Sequence, residues 1–419
     1  MTKNWISPWA ATIQDLARKA MESEVAGNTP ITHLASISEA LSQGLQNLCR
    51  IDEDRRGEVE QRAASSLDSE VWCNLPEHLV DTVLAWLPPA SLFRLRTVCK
   101  RWNSVVSSRA FLDTCSKIKS RLPYFLMFAD HFHRRVAAVY DVSVSSWHLL
   151  PFSSFMHCRF PESFLVLAAA GGLLCLEGTG SQSGTMFVSN PITRVYKKLP
   201  RMIAMKSPYV VGMVVDDEMK SYKILVAQDG ETLASQVYDS STNRWSLTGV
   251  YHRRTAILAG ATFYNGLLFC LTFSPNGLLA FDLERGQWLE VKLALPPSLS
   301  CPNLMTHQDR LLLIGGIEEL GSLQSVHVWQ LHPTKPEWMD VERVPDELFK
   351  RLFTSSSGHF ICVGQGDFIC LHEYYSPEIL MYDIVRSSWQ WLPGCSLNDN
   401  IEARSVLGFA FQPRIEAVP

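Results

Sequence analysis

The sequence has little excess charge of either sign and no long apolar run. Its 38 lysine and arginine residues are balanced by 42 aspartate and glutamate residues, which gives a formal net charge of −4. Proteins that bind nucleic acid usually carry a strongly basic face. No apolar stretch approaches the roughly 20 residues that span a bilayer, and the first 21 residues lack the pattern of a secretory signal. We therefore expect neither a nucleic-acid partner nor a membrane partner.

Paired cysteines of the kind that hold structural zinc are also missing. The 11 cysteines occur at irregular spacings without a Cys-x-x-Cys pair, and Cys175, Cys270 and Cys370 lie inside apolar runs. An odd number of cysteines at such spacings favours free, buried thiols over a disulfide framework. We expect a reducing compartment, the nucleus or the cytoplasm, and neither a metal ion nor another cofactor.

The familiar signatures of catalysis are absent or incomplete. His131 and His133 could ligate a metal ion from one strand face, but no carboxylate or third histidine lies near them in sequence, which favours solvated loop histidines. The glycine-rich segment 178–184 lacks the Lys-Ser/Thr ending of a phosphate loop, so a hairpin tip explains it better. No Gly-x-Ser-x-Gly nucleophile motif opens a helix. We predict no catalytic residue.

Residues 1–70 are polar and carry no strand pattern. Two weak helical periodicities, at 13–20 and 34–48, are separated by a turn cluster at 27–30. This pattern predicts a largely disordered leader with transient helices. An amphipathic helix that binds a partner is the alternative.

Two short amphipathic helices are predicted between residues 71 and 117. Pro76 suits the first position of a helix whose apolar residues recur as far as Leu87, and Pro88 with Pro89 ends it. A second apolar pattern follows from residue 92 to residue 106. Because a domain of about 45 residues buries a small fraction of its surface, its apolar face is expected to meet a further surface.

These helices resemble the F-box motif. The Leu75-Pro76 start, the Leu87-Pro88 end of the first helix and the run from Val98 to Trp102 match that motif in order and spacing. The resemblance implies binding to a Skp-type adaptor and, through it, to the cullin and RING subunits of a ubiquitin ligase. Carried over by position, the adaptor contact would comprise Leu75, Pro76, Leu79, Val83, Leu84, Leu87, Pro88, Leu92, Leu95, Val98, Cys99 and Trp102. Some of these residues are expected to form internal core instead.

A seven-residue frame repeats between residues 121 and 413. In four copies an aromatic residue is followed by Asp, and Trp stands seven positions after the aromatic: Tyr140, Asp141 and Trp147; Tyr238, Asp239 and Trp245; Phe281, Asp282 and Trp288; Tyr382, Asp383 and Trp389. Two degenerate copies keep the spacing, Ser189-Asn190 with Tyr196 and Leu331-His332 with Trp338. Successive copies begin 49, 49, 43, 50 and 51 residues apart, a period typical of the blades of a kelch-type propeller.

Each part of the frame has a predicted structural role. Asp or Asn at a strand end can accept hydrogen bonds from backbone N–H groups in a turn. Trp supplies a large flat surface for packing against the neighbouring blade. The Leu-Pro and Val-Pro pairs that close several copies suit an outer edge strand, which proline protects from further pairing.

Apolar runs between the copies are interpreted as inner strands buried on both faces. These runs begin at Leu173, Leu267, Leu311 and Phe368, and Gly315-Gly316 is placed just after the third of them. The strand pattern at 405–411 is predicted to pair with 124–128, because such a closure removes the open edge of a ring.

The whole arrangement resembles the plant F-box/kelch-repeat family over about residues 71–413. It implies a multidomain chain of an α part and an all-β part: a leader at 1–70, an F-box at 71–117, a six-bladed kelch-type β-propeller at 121–413 and a tail at 414–419. The resemblance implies a non-enzymatic substrate-recognition subunit of an SCF-type ubiquitin ligase whose propeller binds an unknown client protein. A transcriptional co-regulator that binds its client without degrading it is the alternative, and a propeller enzyme is a third reading.

Overall fold

The structure is a computed structural model of the 419-residue chain. It describes isolated positions between residues 81 and 93 and then the segments 100–118, 121–130, 136–151, 164–178, 184–203, 210–216, 218, 220–228, 232–252, 256–257, 261–274, 276–353, 358–373, 376, 378–395, 397 and 404–419. The predicted leader helices and the pair His131 and His133 lie outside these described residues.

The chain divides into a helical unit that extends to Arg121 and a unit of β-strands that begins at Leu122. The helical unit contains α1 (Lys100–Val106) and α2 (Arg109–Ser116). Ser108 caps α2, because its side chain accepts a hydrogen bond of 3.2 Å from the backbone N–H of Phe111. Across the described part of the chain, no helix is long and apolar enough to cross a membrane.

The described strands form six antiparallel sheets, the blades of a propeller. Blade 1 contains β1 (Tyr124–Asp130), β2 (Val136–Asp141) and β3 (Ser146–Pro151); blade 2 contains β4 (Phe164–Ala170), β5 (Leu173–Gly178), β6 (Met186–Asn190) and β7 (Val195–Lys198); blade 3 contains β8 (Val210–Asp216), β9 (Ser221–Gln228), β10 (Ala234–Asp239) and β11 (Arg244–Leu247). Blade 4 contains β12 (Ala256–Ile257), β13 (Thr262–Tyr264), β14 (Leu267–Ser274), β15 (Asn276–Asp282) and β16 (Gln287–Val291); blade 5 contains β17 (Leu299–His307), β18 (Arg310–Glu319), β19 (Ser322–Leu331) and β20 (Trp338–Arg343). The helix α3 (Asp346–Leu352) precedes blade 6, which contains β21 (Phe360–Gln365), β22 (Phe368–Glu373), β23 (Ile379–Asp383) and β24 (Ser388–Trp391), and β25 (Arg404–Phe411) ends the chain's strands.

The last strand closes the ring. β25 pairs antiparallel with β1, from Tyr124 opposite Phe411 to Asp130 opposite Arg404, so that blade 1 has the order β25-β1-β2-β3. The predicted closure is therefore confirmed. Because blade 1 takes strands from both ends of the unit, β1 is paired on both sides and the two ends of the ring are joined.

The four runs predicted to be inner strands form the second strands of blades 2, 4, 5 and 6, β5, β14, β18 and β22, and the prediction that they are buried strands is confirmed. A central channel of about 590 Å³ is lined mainly by residues of β4, β8, β13, β17, β21 and β25, with Phe269 and Leu271 of β14. Most residues of β4 are only partly buried where this strand lines the channel, whereas every residue of β5 and β22 is buried. A strand one step out from the channel is covered on both faces, which explains its continuous apolar run.

Gly315 and Gly316 do not follow a strand but lie in the middle of β18, which continues to Glu319. They pair with His327 and Val326 of β19. A Cβ atom at residue 315 would stand 2.6 Å from Leu299 Cδ1, and one at residue 316 would clash with Leu323 Cδ1. The glycines therefore permit close packing rather than a turn.

The segment 414–419, predicted to be a tail, is packed against blade 2. Arg414 and Ile415 are each 8% exposed. The amide Nδ2 of Asn190 donates to the carbonyl oxygens of Arg414 and Ala417, both at 2.8 Å. These residues are thus part of the propeller's structure.

The described cysteines are free, as predicted. Of the seven, six are buried and Cys301 is partly buried. Burial disfavours the thiolate form and raises the pKa of the Cys270 thiol to about 12. Thiols in such surroundings are inert at neutral pH.

Candidate functional site

The described part of the helical unit has a small apolar core. Leu84, Ala85, Leu87 and Leu92 are buried, as are Phe111, Cys115 and Ile118 further along the chain. The guanidinium Nη2 of Arg121 donates a hydrogen bond of 2.9 Å to the carbonyl oxygen of Ala85. This bond joins the end of the unit to its first helical residues.

Three of the twelve residues that the F-box resemblance assigns to the adaptor contact are described with their side chains. Leu84 and Leu92 are each 1% exposed and Leu87 is 5% exposed, so all three are core residues of this chain. The side chains of the other nine, including that of Trp102 on α1, lie outside the description, and their contact with an adaptor stays a prediction. α1 presents Lys100, Asn103 and Ser104 to solvent.

In the propeller, the seven-residue frame is the hairpin between the third and fourth strands of a blade. The aromatic residue stands directly opposite the Trp in the ladder: Tyr140 opposite Trp147, Tyr238 opposite Trp245, Phe281 opposite Trp288 and Tyr382 opposite Trp389. The ring centroids of these pairs are 4.5 to 5.4 Å apart. Such cross-strand aromatic pairs stabilise a hairpin.

A left-handed residue fixes the spacing of the frame. The fifth residue after the first one of the frame has a positive φ between 49° and 63° in five blades: Ser145, Arg194, Asn243, Gly286 and Ser387. A four-residue loop built on a turn that ends in the left-handed region returns the chain in register. The first residue of the frame and the Trp are therefore seven positions apart, because the four loop residues and one pair of facing strand residues lie between them.

The acidic or amide residue of the frame has the predicted role. Asn190 Oδ1 accepts from the backbone N–H groups of Ile192 and Thr193 at 3.0 and 3.3 Å. Equivalent bonds run from Ser241 to Asp239, from Glu284 and Arg285 to Asp282, and from Arg386 to Asp383. These bonds satisfy turn N–H groups that the ladder leaves unpaired.

The tryptophans also join neighbouring blades, as predicted. Trp147 Nε1 donates to the carbonyl oxygen of Pro393 at 2.7 Å, and Trp245 Nε1 donates to that of Pro200 at 2.8 Å. Trp288 Nε1 donates to Ser235 Oγ at 3.0 Å. In two cases the acceptor belongs to the Leu-Pro pair that closes the preceding blade. The Trp of the frame and the Leu-Pro pair, which the sequence shows as separate features, therefore contact each other.

Sequence reasoning missed a polar contact between blades 5 and 6. His307, whose side chain is 1% exposed, has Nε2 at 2.9 Å from Asp367 Oδ1 and Nδ1 at 2.8 Å from Arg310 Nη2. Because a guanidinium can only donate, Nδ1 must accept and Nε2 must carry the proton that is donated to Asp367. No motif marks these residues, and His307 and Asp367 are 60 positions apart.

A Ser–His–Asp series lies on β19 and β20. Ser325 Oγ is 2.9 Å from His327 Nε2, and His327 Nδ1 is 2.7 Å from Asp340 Oδ2. Ser325 is buried at 8% exposure, and the His327 ring is stacked on Trp329 with centroids 5.2 Å apart. A nucleophile must reach its substrate, so we interpret the series as a tie between the two strands.

Most of the residues that line the channel are apolar, and polar side chains among them form hydrogen bonds between neighbouring blades. Thr262 Oγ1 donates to the carbonyl oxygen of Leu304, and Asn303 Nδ2 donates to that of Cys362, at 2.8 and 2.9 Å. Among the described residues that line the channel, Arg414 is the one that carries a charge. Across the described residues, no group of three or more His, Cys, Asp or Glu side chains could hold a metal ion.

Known proteins resemble this chain along most of its length. F-box only protein 6 of Arabidopsis thaliana is 29% identical over 352 residues, which cover 80% of this chain and 72% of that protein. The protein UNUSUAL FLORAL ORGANS of the same plant is 25% identical over 83% of this chain and 86% of its own length. The F-box/kelch-repeat protein At3g61590, also from Arabidopsis thaliana, is 27% identical over 95% of this chain and its own full length.

Two family models match in the order that the sequence predicts. The F-box domain matches residues 72–114, and the KIB1-4 β-propeller matches residues 142–374, more than half of the chain. The chain belongs to the F-box proteins that carry a KIB1-4 β-propeller.

Proposed function

We propose that this protein is a substrate-recognition subunit of an SCF-type ubiquitin ligase. One observation carries the proposal: an F-box, matched at residues 72–114, precedes a closed six-bladed propeller in one chain. F-box proteins are typically the substrate-recognition subunits of SCF ligases, and an F-box domain implies binding to a Skp-type adaptor. F-box proteins with a propeller are generally adaptors rather than enzymes.

The proposed mechanism is catalysis by proximity. The F-box would bind the adaptor and, through it, the cullin and RING subunits, while the propeller holds a client protein. Holding a client lysine near the charged conjugating enzyme converts an encounter of free molecules into a reaction within one complex. The covalent steps then belong to other subunits, and this chain contributes affinity and orientation.

Hydrogen bonds between neighbouring blades support this role. The indole N–H groups of Trp147 and Trp245, together with the His307–Asp367 contact, join neighbouring blades. Loops held on a rigid scaffold lose less conformational freedom when a partner binds. Free buried thiols are typical of proteins in a reducing compartment, so we propose the nucleus or the cytoplasm as its location.

Replacing a predicted adaptor-contact residue tests whether the F-box binds a Skp-type adaptor. We expect Leu79→Arg to reduce co-purification of a Skp-type adaptor and cullin with the full-length chain at least tenfold, because a charge would replace an apolar contact. The measurement is quantitative mass spectrometry of the retained subunits.

The matched control places the same change on the propeller surface. Leu247 is 61% exposed on β11, so Leu247→Arg should retain adaptor and cullin at wild-type levels. Retention by Leu79→Arg would contradict the site assignment, and no retention by the wild-type chain would contradict the proposed function.

The fate of the client separates a ligase subunit from a co-regulator. Under the ligase proposal, a protein bound by the propeller accumulates when the proteasome is inhibited and carries ubiquitin only while the F-box binds its adaptor. A client with unchanged abundance and no ubiquitin in both conditions would favour the co-regulator.

A further inference from the structure

The hairpin that joins β18 to β19 ends in a leucine that the fold does not use. Leu320 is fully exposed, at 106% of its reference area. Its φ is 50° and that of Gly321 is 77°, values that place both turn residues in the left-handed region. The first position of such a turn favours Asn, Asp or Gly, because other side chains are strained there. Neither the backbone conformation nor exposure to water favours leucine at this position.

The residues around Leu320 form an exposed, acidic tip. Five consecutive residues, 318–322, are exposed, and Glu318 and Glu319 stand directly before the leucine. β18 and β19 have ten residues each, the longest strands among those described. The tip therefore presents one apolar side chain beside two carboxylates at the end of a long hairpin.

The base of this tip is held firmly. The backbone N–H of Glu318 donates to the carbonyl oxygen of Ser298 at 3.0 Å, and Glu319 pairs with Ser322 up to the turn. Leu323, the first residue beyond the tip, packs against the core cluster of blades 5 and 6 that contains Phe360. Two glycines make room for it, since a Cβ atom at residue 358 would lie 3.0 Å from Leu323 Cβ and one at residue 316 would clash with its Cδ1.

We propose that the tip, residues 318–322, is a docking point for the client protein. Leu320 would enter an apolar pocket on the client, and lysine or arginine side chains at the rim of that pocket would pair with Glu318 and Glu319. An apolar centre with a charged rim is the usual anatomy of a protein interface. A side chain on a fixed turn loses little freedom on binding, which favours affinity. The inference rests on the proposed function, because it requires that the propeller hold a client.

The most informative variant preserves the backbone conformation of the turn and removes the apolar side chain of Leu320. Asparagine tolerates the left-handed region, so Leu320→Asn should leave the melting temperature unchanged or raise it. Gln308→Asn is the control for the backbone, since Gln308 is exposed with a φ of 52° at the opposite end of β18. Val385→Asn is the control for loss of an exposed apolar side chain, because Val385 is 64% exposed in a turn of blade 6.

The experiment uses the full-length chain in plant cells with the proteasome inhibited. Proteins retained by the wild-type chain are quantified, one is purified, and its dissociation constant is measured against each variant. We expect at least a tenfold increase in Kd for Leu320→Asn and for the double variant Glu318→Lys with Glu319→Lys, and no change for the two controls. A lysine-to-glutamate change at the rim of the partner's pocket should restore binding to the double variant.

Several results would overturn the docking point. One is an unchanged Kd for Leu320→Asn, and another is a wild-type chain that retains the adaptor but no further protein. A third is a dimer that Leu320→Asn converts to a monomer, because the partner of the tip would then be a second copy of this chain. A fall in the melting temperature of Leu320→Asn would assign the leucine a structural role. Adaptor retention, read in the same samples, separates the two failures: its absence from the wild-type chain contradicts the proposed function itself.

Discussion

A single amide shows how a residue that breaks the repeat follows from its surroundings. Asn190 stands where four copies of the frame have Asp. Its Oδ1 keeps the turn role of the carboxylate, and its Nδ2 donates to the carbonyl oxygens of Arg414 and Ala417. A carboxylate could not donate either bond. Asparagine replaces aspartate in this copy of the frame because the C-terminal segment requires a hydrogen-bond donor at this position.

We expect Asn190→Asp to lower the free energy of unfolding by about 2–3 kcal/mol, because one buried and one partly buried carbonyl oxygen lose their donor and face a carboxylate. Urea denaturation of the full-length chain measures the change. The converse control is Asp239→Asn, which keeps the Oδ1 acceptor for the N–H of Ser241 and should cost less than about 1 kcal/mol. Equal losses in the two variants would contradict this account of Asn190.

At the scale of elements, the hairpin between the third and fourth strands is the unit that the repeat encodes. Its aromatic pair, its turn-capping Asp and its left-handed loop residue all act within eight residues of sequence. The tryptophan adds a contact to the preceding blade, but its partner varies: a carbonyl oxygen for Trp245 and a hydroxyl for Trp288. Trp338 lies opposite Leu331, and its buried Nε1 has no hydrogen-bond partner.

This difference predicts unequal effects of one substitution. Trp245→Phe keeps an aromatic contact with Tyr238 and loses the bond to Pro200, so we expect it to destabilise the protein by about 1 kcal/mol more than Trp338→Phe, which loses no hydrogen bond. Thermal denaturation compares the two variants after the same change in side-chain volume. A larger loss for Trp338→Phe would show that ring volume, not the indole N–H, sets the contribution.

For the propeller as a whole, the pairing of β25 with β1 decides whether the ring is closed. Phe411 is 1% exposed, and its ring meets that of Tyr124 edge-on with centroids 5.9 Å apart. The two strands come from opposite ends of the propeller unit. Because this pairing completes blade 1, we expect it to govern the cooperativity of unfolding as well as its free energy.

Phe411→Ala should lower the free energy of unfolding by about 3–5 kcal/mol, because it opens a cavity at the closing strand. We also expect a broader transition, with blade 1 losing amide protection before the other blades. Hydrogen exchange with mass spectrometry measures both effects. Leu247→Ala, at a site that is 61% exposed, is the control and should change stability by no more than about 0.5 kcal/mol.

Patterns that act over short stretches of sequence were predicted well. The frame and its turn bonds follow from residues at most seven positions apart, the blade number follows from counting copies of the frame, and the closing strand follows from the need to join the two ends of the ring. The apolar runs were correctly predicted to be buried strands, but a continuous apolar run reports burial on both faces and does not give the strand's distance from the channel. Gly315 and Gly316 were misplaced for a related reason, since glycine accommodates close packing as well as turns.

The sequence by itself determined the order of the two parts, the F-box motif and the repeated hairpin, because each is encoded by residues that touch along the chain. The tertiary structure alone decided which residues meet between blades: His307 with Asp367 across 60 positions, and Trp147 with Pro393 across 246. It also assigned Leu84, Leu87 and Leu92 to the core of the helical unit, and it exposed Leu320 at the end of a long hairpin. Contacts of this kind depend on how blades are placed around a ring, and no local spacing carries that information.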